Sequence, residues 1–347
     1  MKLSRLAAPL IVGACGLVMI AGSSGVRAWQ APAPAPAAQP PAALDACGGR
    51  SGKPEVPCPD DVKKMLTALP AKAPATPQKP RRMLVLARAA GWAHSSRPLA
   101  AATMVEMGKK TGAWTADVTY EATGFTAENL KQYDAVFLDS TTGTFLDDPN
   151  DAAATAARRK ALLDFIRGGK GIAAIHAASD SYHTNGRGGG DPLWPEFNKI
   201  IGGYFKFHWN WPTPITVKID DPASPINATF KGKSFNINDE VYTYKQESFS
   251  RDNVHVLTSI DYSLMSDSDK AKEQPQRTDH DYALSWIRRE GQGRLFYEAL
   301  GHHESIYYDN PQILEHILAG VQYALGDLKA DDTPGSKPKG MSNTPAK

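Results

Sequence analysis

"GKGIAAIHAASD", residues 169–180, decides the fold. An apolar run from Ile172 to Ile175 follows a Gly-Lys-Gly turn and ends at His176, with three small residues before Asp180. A short apolar run bounded in this way reads as a buried strand. Open α/β sheets bind ligands outside the carboxyl ends of their strands. His176 therefore stands where such a sheet presents functional groups.

Upstream of this stretch the pattern alternates. "MLVLAR" (83–88), "WTADVTYEA" (114–122) and "AVFLDS" (135–140) read as strands. Between and after them, helices are expected over Leu99–Lys110, Thr126–Tyr133 and Ala152–Arg167, the second with Thr126 as N-cap and Glu128 in its first turn. Strand–helix alternation predicts βαβ units and a parallel sheet covered on both faces. Downstream, strands crowd together: "PITVKI" (214–219), "DEVYTY" (239–244), "VHVLTSI" (254–260), "YALSWIRR" (282–289) and "GRLFYEAL" (293–300). "REGQGR" (289–294) reads as a hairpin turn, and Pro311–Leu325 as a closing amphipathic helix. The expectation is one α/β domain over 82–328, a three-layer sandwich with a mostly parallel central sheet and a late antiparallel excursion.

The flanks read differently. Lys2 and Arg5 precede an apolar stretch from Leu6 to Ala21, and "VRA" ends at residue 28, so 1–28 reads as a secretory signal peptide. Val12–Cys15 also resembles a lipobox, a less favoured reading because the apolar region runs on past Cys15. Export to the periplasm or the extracellular space is expected. Residues 29–81 read as a Pro/Ala-rich linker and N-terminal extension, and 329–347 as a disordered tail. Cys47 and Cys58 are compatible with a disulfide or with two free thiols. A net charge of +2 over 347 residues gives no sign of a nucleic-acid partner. No segment after the leader reaches the ~20 apolar residues of a membrane span. "GGRSGKP" (48–54) lacks the spacing and preceding strand of a phosphate loop, so no nucleotide cofactor is expected. The sequence leaves a homo-oligomer open.

Of nine histidines, His94, His176 and His302 follow strands that a parallel sheet would point toward one edge, while His208 lies in "GGYFKFHWNW". Each alone reads as a structural or surface residue; convergence of three reads as a shared cleft. Asp239 and Glu240 open a strand. They read equally well as a turn aspartate with an exposed edge glutamate, or as carboxylates that orient an imidazole for proton transfer. Trp92, Tyr204, Phe205, Trp209, Trp211, Tyr242 and Tyr297 lie near these positions in sequence, and such faces suit a sugar ring or an ordinary core. His and carboxylate donors are compatible with a divalent metal, but no H-E-x-x-H or similar spacing assigns ligands.

"GKGIAAIHAASD", "IIGGYFKFH", "SPINATF", "NDEVYTY" and "GQGRLFYEALGHH", in this order, resemble the ThuA-like (trehalose utilisation) family from about Arg82 to Asp327. The resemblance implies a flavodoxin-like fold similar to class I glutamine amidotransferases. It places His176 at the nucleophile cysteine's position and sets His302-His303-Glu304 against a His-x-Glu motif. Glutaminase chemistry needs a thiolate at that position; no cysteine lies beyond residue 58, so amidotransferase activity is excluded. The resemblance implies instead processing of a disaccharide or 3-keto-glycoside. His176, His302, Glu240 and His208 form the expected catalytic set, and Trp92, His94, Asp180, Asp239, Tyr242, His303 and Glu304 the substrate-binding set. Of the adjacent histidines, His302 is favoured to face the cleft. The alternative is a sugar-binding or scaffold module that kept the fold without the chemistry.

Overall fold

The apolar runs that open the folded part pair side by side and in parallel. β1 (Arg82–Leu86) lies between β2 (Thr115–Thr119) and β3 (Ala135–Asp139); β3 pairs with β4 (Gly171–Ile175), and β4 with β9 (Gly293–Glu298). The order β2-β1-β3-β4-β9 is that of a doubly wound sheet of the flavodoxin kind. This computed structural model describes Cys47, residues 55–185 and residues 189–335. The expected leader, lipobox cysteine and Pro/Ala spacer lie outside those residues.

The sheet then changes character. β5 (Phe205–Ile219), β6 (Phe235–Tyr244), β7 (His255–Ile260) and β8 (Ala283–Glu290) extend it antiparallel in the order β9-β8-β7-β5-β6. Four strand pairings are parallel and four antiparallel, so the expected mostly parallel sheet is corrected to a mixed one. The reversal comes from the hairpin at Gly291, whose φ of 57° suits a tight turn that a side chain would strain.

Helices cover both faces of the parallel half. A Cβ added at Gly293 of β9 would meet Ile166 of α4 (Ala152–Arg167), while Phe296 lies against Gly320 of α7 (Pro311–Leu325). Positions three apart on a strand point to opposite faces, so α4 and α7 form separate layers. α2 (Arg97–Thr111) packs on β1–β3, and two short helices, α3 (Ala127–Leu130) and α5 (Pro195–Ile201), complete the set before α6 (Asp267–Lys270).

Two flanking segments pack onto the domain. The N-terminal extension contains α1 (Pro59–Ala68), with Pro at its start and Asp60 and Asp61 in its first turn, and it buries Met65. Cys58 before it is disulfide-bonded to Cys47. Glu55 pairs with buried Arg97 at 2.5 Å, and Arg81 grips Asp327 with two nitrogens. At the other end, Asp332 accepts from Arg289 and Tyr323, and the Thr333 carbonyl meets His255. Those partners order residues expected to belong to a disordered tail; residues 336–347 lie outside the description.

Candidate functional site

Three parallel strands deliver imidazoles to one edge. β1 leads into the loop that carries Trp92 and His94, β4 ends at His176, and β9 leads to Gly301, His302 and His303. The rings of His94 and His176 lie 4.7 Å apart, those of His94 and His302 5.1 Å, and those of His176 and His302 5.3 Å. The three come from sequence positions up to 208 residues apart (302 − 94), and the sheet alone brings them together.

His176 has φ 46°, in the left-handed region that a bulky residue seldom occupies, so β4 ends in a sharp, strained turn. Tyr297 holds that turn by donating to the His176 carbonyl at 2.6 Å, with Ser179 beside its hydroxyl at 2.8 Å. The His176 ring is fully buried. Its Nδ1 lies 2.9 Å from the Ala299 carbonyl, which can only accept, so Nδ1 carries the proton and Nε2 points inward.

The antiparallel half supplies the carboxylate. Val241 of β6 pairs with Trp209 of β5, and Asp239 with Thr213. Between these pairs Glu240 alone faces Asn210, Trp211 and Pro212, a bulge that re-aims the β5 side chains over the glutamate. Glu240 Oε1 lies 3.1 Å from His302 Nδ1 and 3.6 Å from His176 Nε2, while Oε2 lies 3.3 Å from His208 Nδ1. None of the three contacts is aligned as a hydrogen bond, and those three nitrogens, like His94 Nδ1, have no such partner among the described residues. Burial works against the Glu240 charge, but the His176 and His302 rings outweigh it and hold the carboxyl well below the usual carboxylate range. Burial pushes the His94 imidazole the other way, toward its neutral form, and the neighbouring His176 and His302 add to that.

A cleft of about 510 Å³ opens above this cluster, lined by Trp92, His94, Asp180, Phe205, His208, Asn210, Trp211, Glu240, Tyr242 and His302. That volume suits a small organic ligand. Trp92 is 62% exposed at its mouth and Tyr242 is buried in its wall, 4.5 Å ring to ring from His176. Asp180 also accepts from or donates to His183 Nε2 at 2.7 Å, according to which group holds the proton.

Several expected residues have other work. His176 lies beneath the cleft rather than in its lining. Asp239 is fully buried and outside the cleft lining; it accepts from the backbone amides of Gly301 at 2.7 Å and of His302 and His303 at 3.3 Å each, and so fixes the histidine loop. His303 stacks on Trp211 at 4.2 Å and turns Nδ1 toward Ser305. Glu304 approaches His303 at 3.7 Å, so the carboxylate beside His302 is Glu240 and not the Glu304 of the expected His-x-Glu pairing. The sequence reading missed Asn210 and named Phe205 and Trp211 only among aromatics that suit a sugar ring or a core; the "WNWPTP" run, with prolines inside a strand, was the available sign of a bulge.

This geometry defines a class: doubly wound α/β proteins whose strand ends set histidines and one carboxylate under an aromatic-walled cleft. Residues 82–324 match the family model of ThuA, described as trehalose utilisation, and the chain belongs to that family. Its fold is similar to that of a ThuA-like protein from Bacteroides uniformis ATCC 8492, at 21% identity and a TM-score of 0.54, covering 74% of this chain and 97% of that one. A ThuA-like protein from Parabacteroides merdae ATCC 43184 is similar at 16% identity and a TM-score of 0.50, covering 75% of this chain and 95% of that one. Among curated proteins none matches the sequence. Among the described residues no helix is long and apolar enough to cross a membrane.

Proposed function

We propose that this ThuA-family protein is an exported carbohydrate-processing enzyme acting on a disaccharide or its 3-keto derivative. One observation carries the reading: imidazoles and a charged glutamate meet at the closed end of a cleft whose walls are aromatic and whose rim offers Asn210 and Asp180. Aromatic faces with nearby polar groups suit a sugar ring, and no cysteine in the domain supports a thiol nucleophile.

A ketone acidifies the neighbouring C–H, so cleavage of a keto-glycoside needs a group that moves a proton and a group that addresses the ketone oxygen. His208 suits the first role. Its side chain is 37% exposed, it faces the cleft, and Glu240 lies 3.3 Å from its Nδ1. His302, which lines the cleft and has Glu240 3.1 Å from its Nδ1, suits the second as a hydrogen-bond donor. His208 takes the proton from carbon, negative charge develops on the ketone oxygen beside the His302 ring, and the glycosidic C–O bond breaks. The leaving oxygen then recovers the proton from His208. Trp92, Trp211 and Tyr242 hold the ring during this exchange.

The test compares trehalose, other disaccharides and their 3-keto forms as substrates for the full chain and for His208→Ala. Turnover of a keto-disaccharide that falls about 100- to 10,000-fold in the variant, chiefly in kcat, supports the assignment. Sugar binding with no product from any of them would leave a binding module in place of an enzyme.

A further inference from the structure

We propose that His94, His176, Glu240 and His302 form a binding site for one divalent transition-metal ion of the zinc class, at the floor of the cleft. One ligand atom from each of the four lies within 4.8 Å of the others. Metal–nitrogen and metal–oxygen bonds of about 2.0–2.1 Å in a tetrahedron set neighbouring ligand atoms about 3.3 Å apart. The Glu240 contacts to His302 and His176, at 3.1 and 3.6 Å, bracket that edge.

Orientation carries more weight than distance. His176 Nδ1 is committed to the Ala299 carbonyl, so Nε2 is the ring atom left to face a Glu240 carboxylate oxygen, 3.6 Å away. A cation between that nitrogen and the carboxylate would bind both. A ligating histidine commonly gives its other N–H to a backbone carbonyl, which fixes the tautomer. The remaining nitrogens tell the same story: His94 Nδ1 and His302 Nδ1 are buried without a hydrogen-bond partner among the described residues. The rings meet edge to face, at interplanar angles of 90°, 85° and 76°, as rings do when they converge on a point rather than stack.

The donor set narrows the ion. Three imidazoles and one carboxylate, with no thiolate, suit zinc, iron(II), cobalt or nickel, and disfavour calcium and magnesium, which take mainly oxygen ligands. Asp239 prepares the site by holding the amides of Gly301, His302 and His303. His94, Glu240 and His302 all line the cleft, so the open side of the site faces any bound ligand. Use of the ion to hold a sugar oxygen rests on the carbohydrate reading above; the site itself does not.

The experiment strips the full chain with a chelator, then titrates Zn²⁺ and Co²⁺ separately. Metal content, thermal midpoint and the visible spectrum of the Co²⁺ form are read together. About one ion per chain, a raised midpoint and Co²⁺ bands of a nitrogen–oxygen site are expected. Glu240→Gln and the double variant His94→Ala/His302→Ala should lose more than about 100-fold in affinity, with circular dichroism confirming that each folds. His303→Ala should bind as the parent does. No binding by the folded chain, or equal binding by the folded double variant, overturns the site and leaves Glu240 with its imidazole neighbours and no ion between them. Metal bound without sugar turnover counts against the carbohydrate reading alone; full turnover by the stripped protein counts against use of the ion in turnover and leaves the site to the titration.

Discussion

The chain carries two buried histidine–glutamate arrangements, built to opposite ends. His316 of α7 lies 3.3 Å from Glu298, and both of its nitrogens are satisfied, Nδ1 by the Ile226 carbonyl and Nε2 by the Ser285 hydroxyl at 3.1 Å each. Glu298 in turn accepts from the Leu300 amide. The cluster around Glu240 holds more imidazoles yet leaves His94, His176, His208 and His302 nitrogens without hydrogen bonds among the described residues. Buried polar groups are ordinarily paired, because an unpaired one costs about 1–3 kcal/mol. The saturated pair stabilises the fold. The unsaturated cluster keeps donors free for something that arrives from outside.

Swapping the damage between the two places breaks or sharpens that contrast. Glu240→Ala should lower turnover about 100- to 10,000-fold while costing less stability than loss of His316. His316→Ala should lower stability by about 2–4 kcal/mol, since it opens a cavity and strands Ser285 and the Ile226 carbonyl. Thermal and denaturant unfolding, read beside a turnover assay, decides between them. If both variants lost the same stability, the two sites would be one kind of structure, and the contrast would fail.

Asp239 links the halves and gives a smaller effect. Asp239→Ala leaves three loop amides unpaired, so about 1–3 kcal/mol of stability and about tenfold in turnover should go together. Asparagine keeps one acceptor oxygen for Gly301 and should restore much of both. Failure of asparagine to rescue either quantity would show that charge, not positioning, is what the loop takes from this residue.

How far the sequence led follows the same division. In the parallel half, one short apolar run ends at His176 and two others lead into loops carrying His94 and His302, and a parallel sheet sends all three strand ends to one edge; that much was readable from local pattern. The helix Pro311–Leu325 was readable from its amphipathic pattern and its proline start, and Ala152–Arg167 as a long helix between strands. The antiparallel half was less legible. Pro212 and Pro214 hid the first part of β5, and only its pairing with β6 reveals the bulge opposite Glu240. Alternation on β6 says that Asp239 and Glu240 face apart, but not which meets the histidines. α1 and α5 are short, and tertiary contacts hold them more than their own sequences do. His302 was favoured over His303 from the sequence; what the sequence did not show is that Trp211, 92 positions away (303 − 211), takes His303 as its stacking partner.

Asp139 tests whether missing partners alone mark a site. It ends β3 fully buried, and neither carboxyl oxygen has a hydrogen bond among the described residues. Burial pushes its carboxyl well above the usual range; Arg97 on α2 pulls it back and Glu55 pushes it further, while the buried hydroxyls of Tyr120 and Tyr307 feel its charge. A folded-state pKa above the unfolded one means that the native protein binds the proton more tightly. The resulting loss of stability is absent below the unfolded pKa of about 3.9 and grows as pH rises toward the folded value. Asp139→Asn removes that titration. It should stabilise the protein by about 1–2 kcal/mol near neutral pH, and the gain should shrink to nothing below about pH 4. Denaturant melts of both proteins across that range check the sign. A gain of this shape makes Asp139 a strained buried acid, unlike the Glu240 cluster, where several groups converge on one point. A variant destabilised equally at every pH would mean that the aspartate is held by partners as His316 is, and would move it to the saturated side of the comparison.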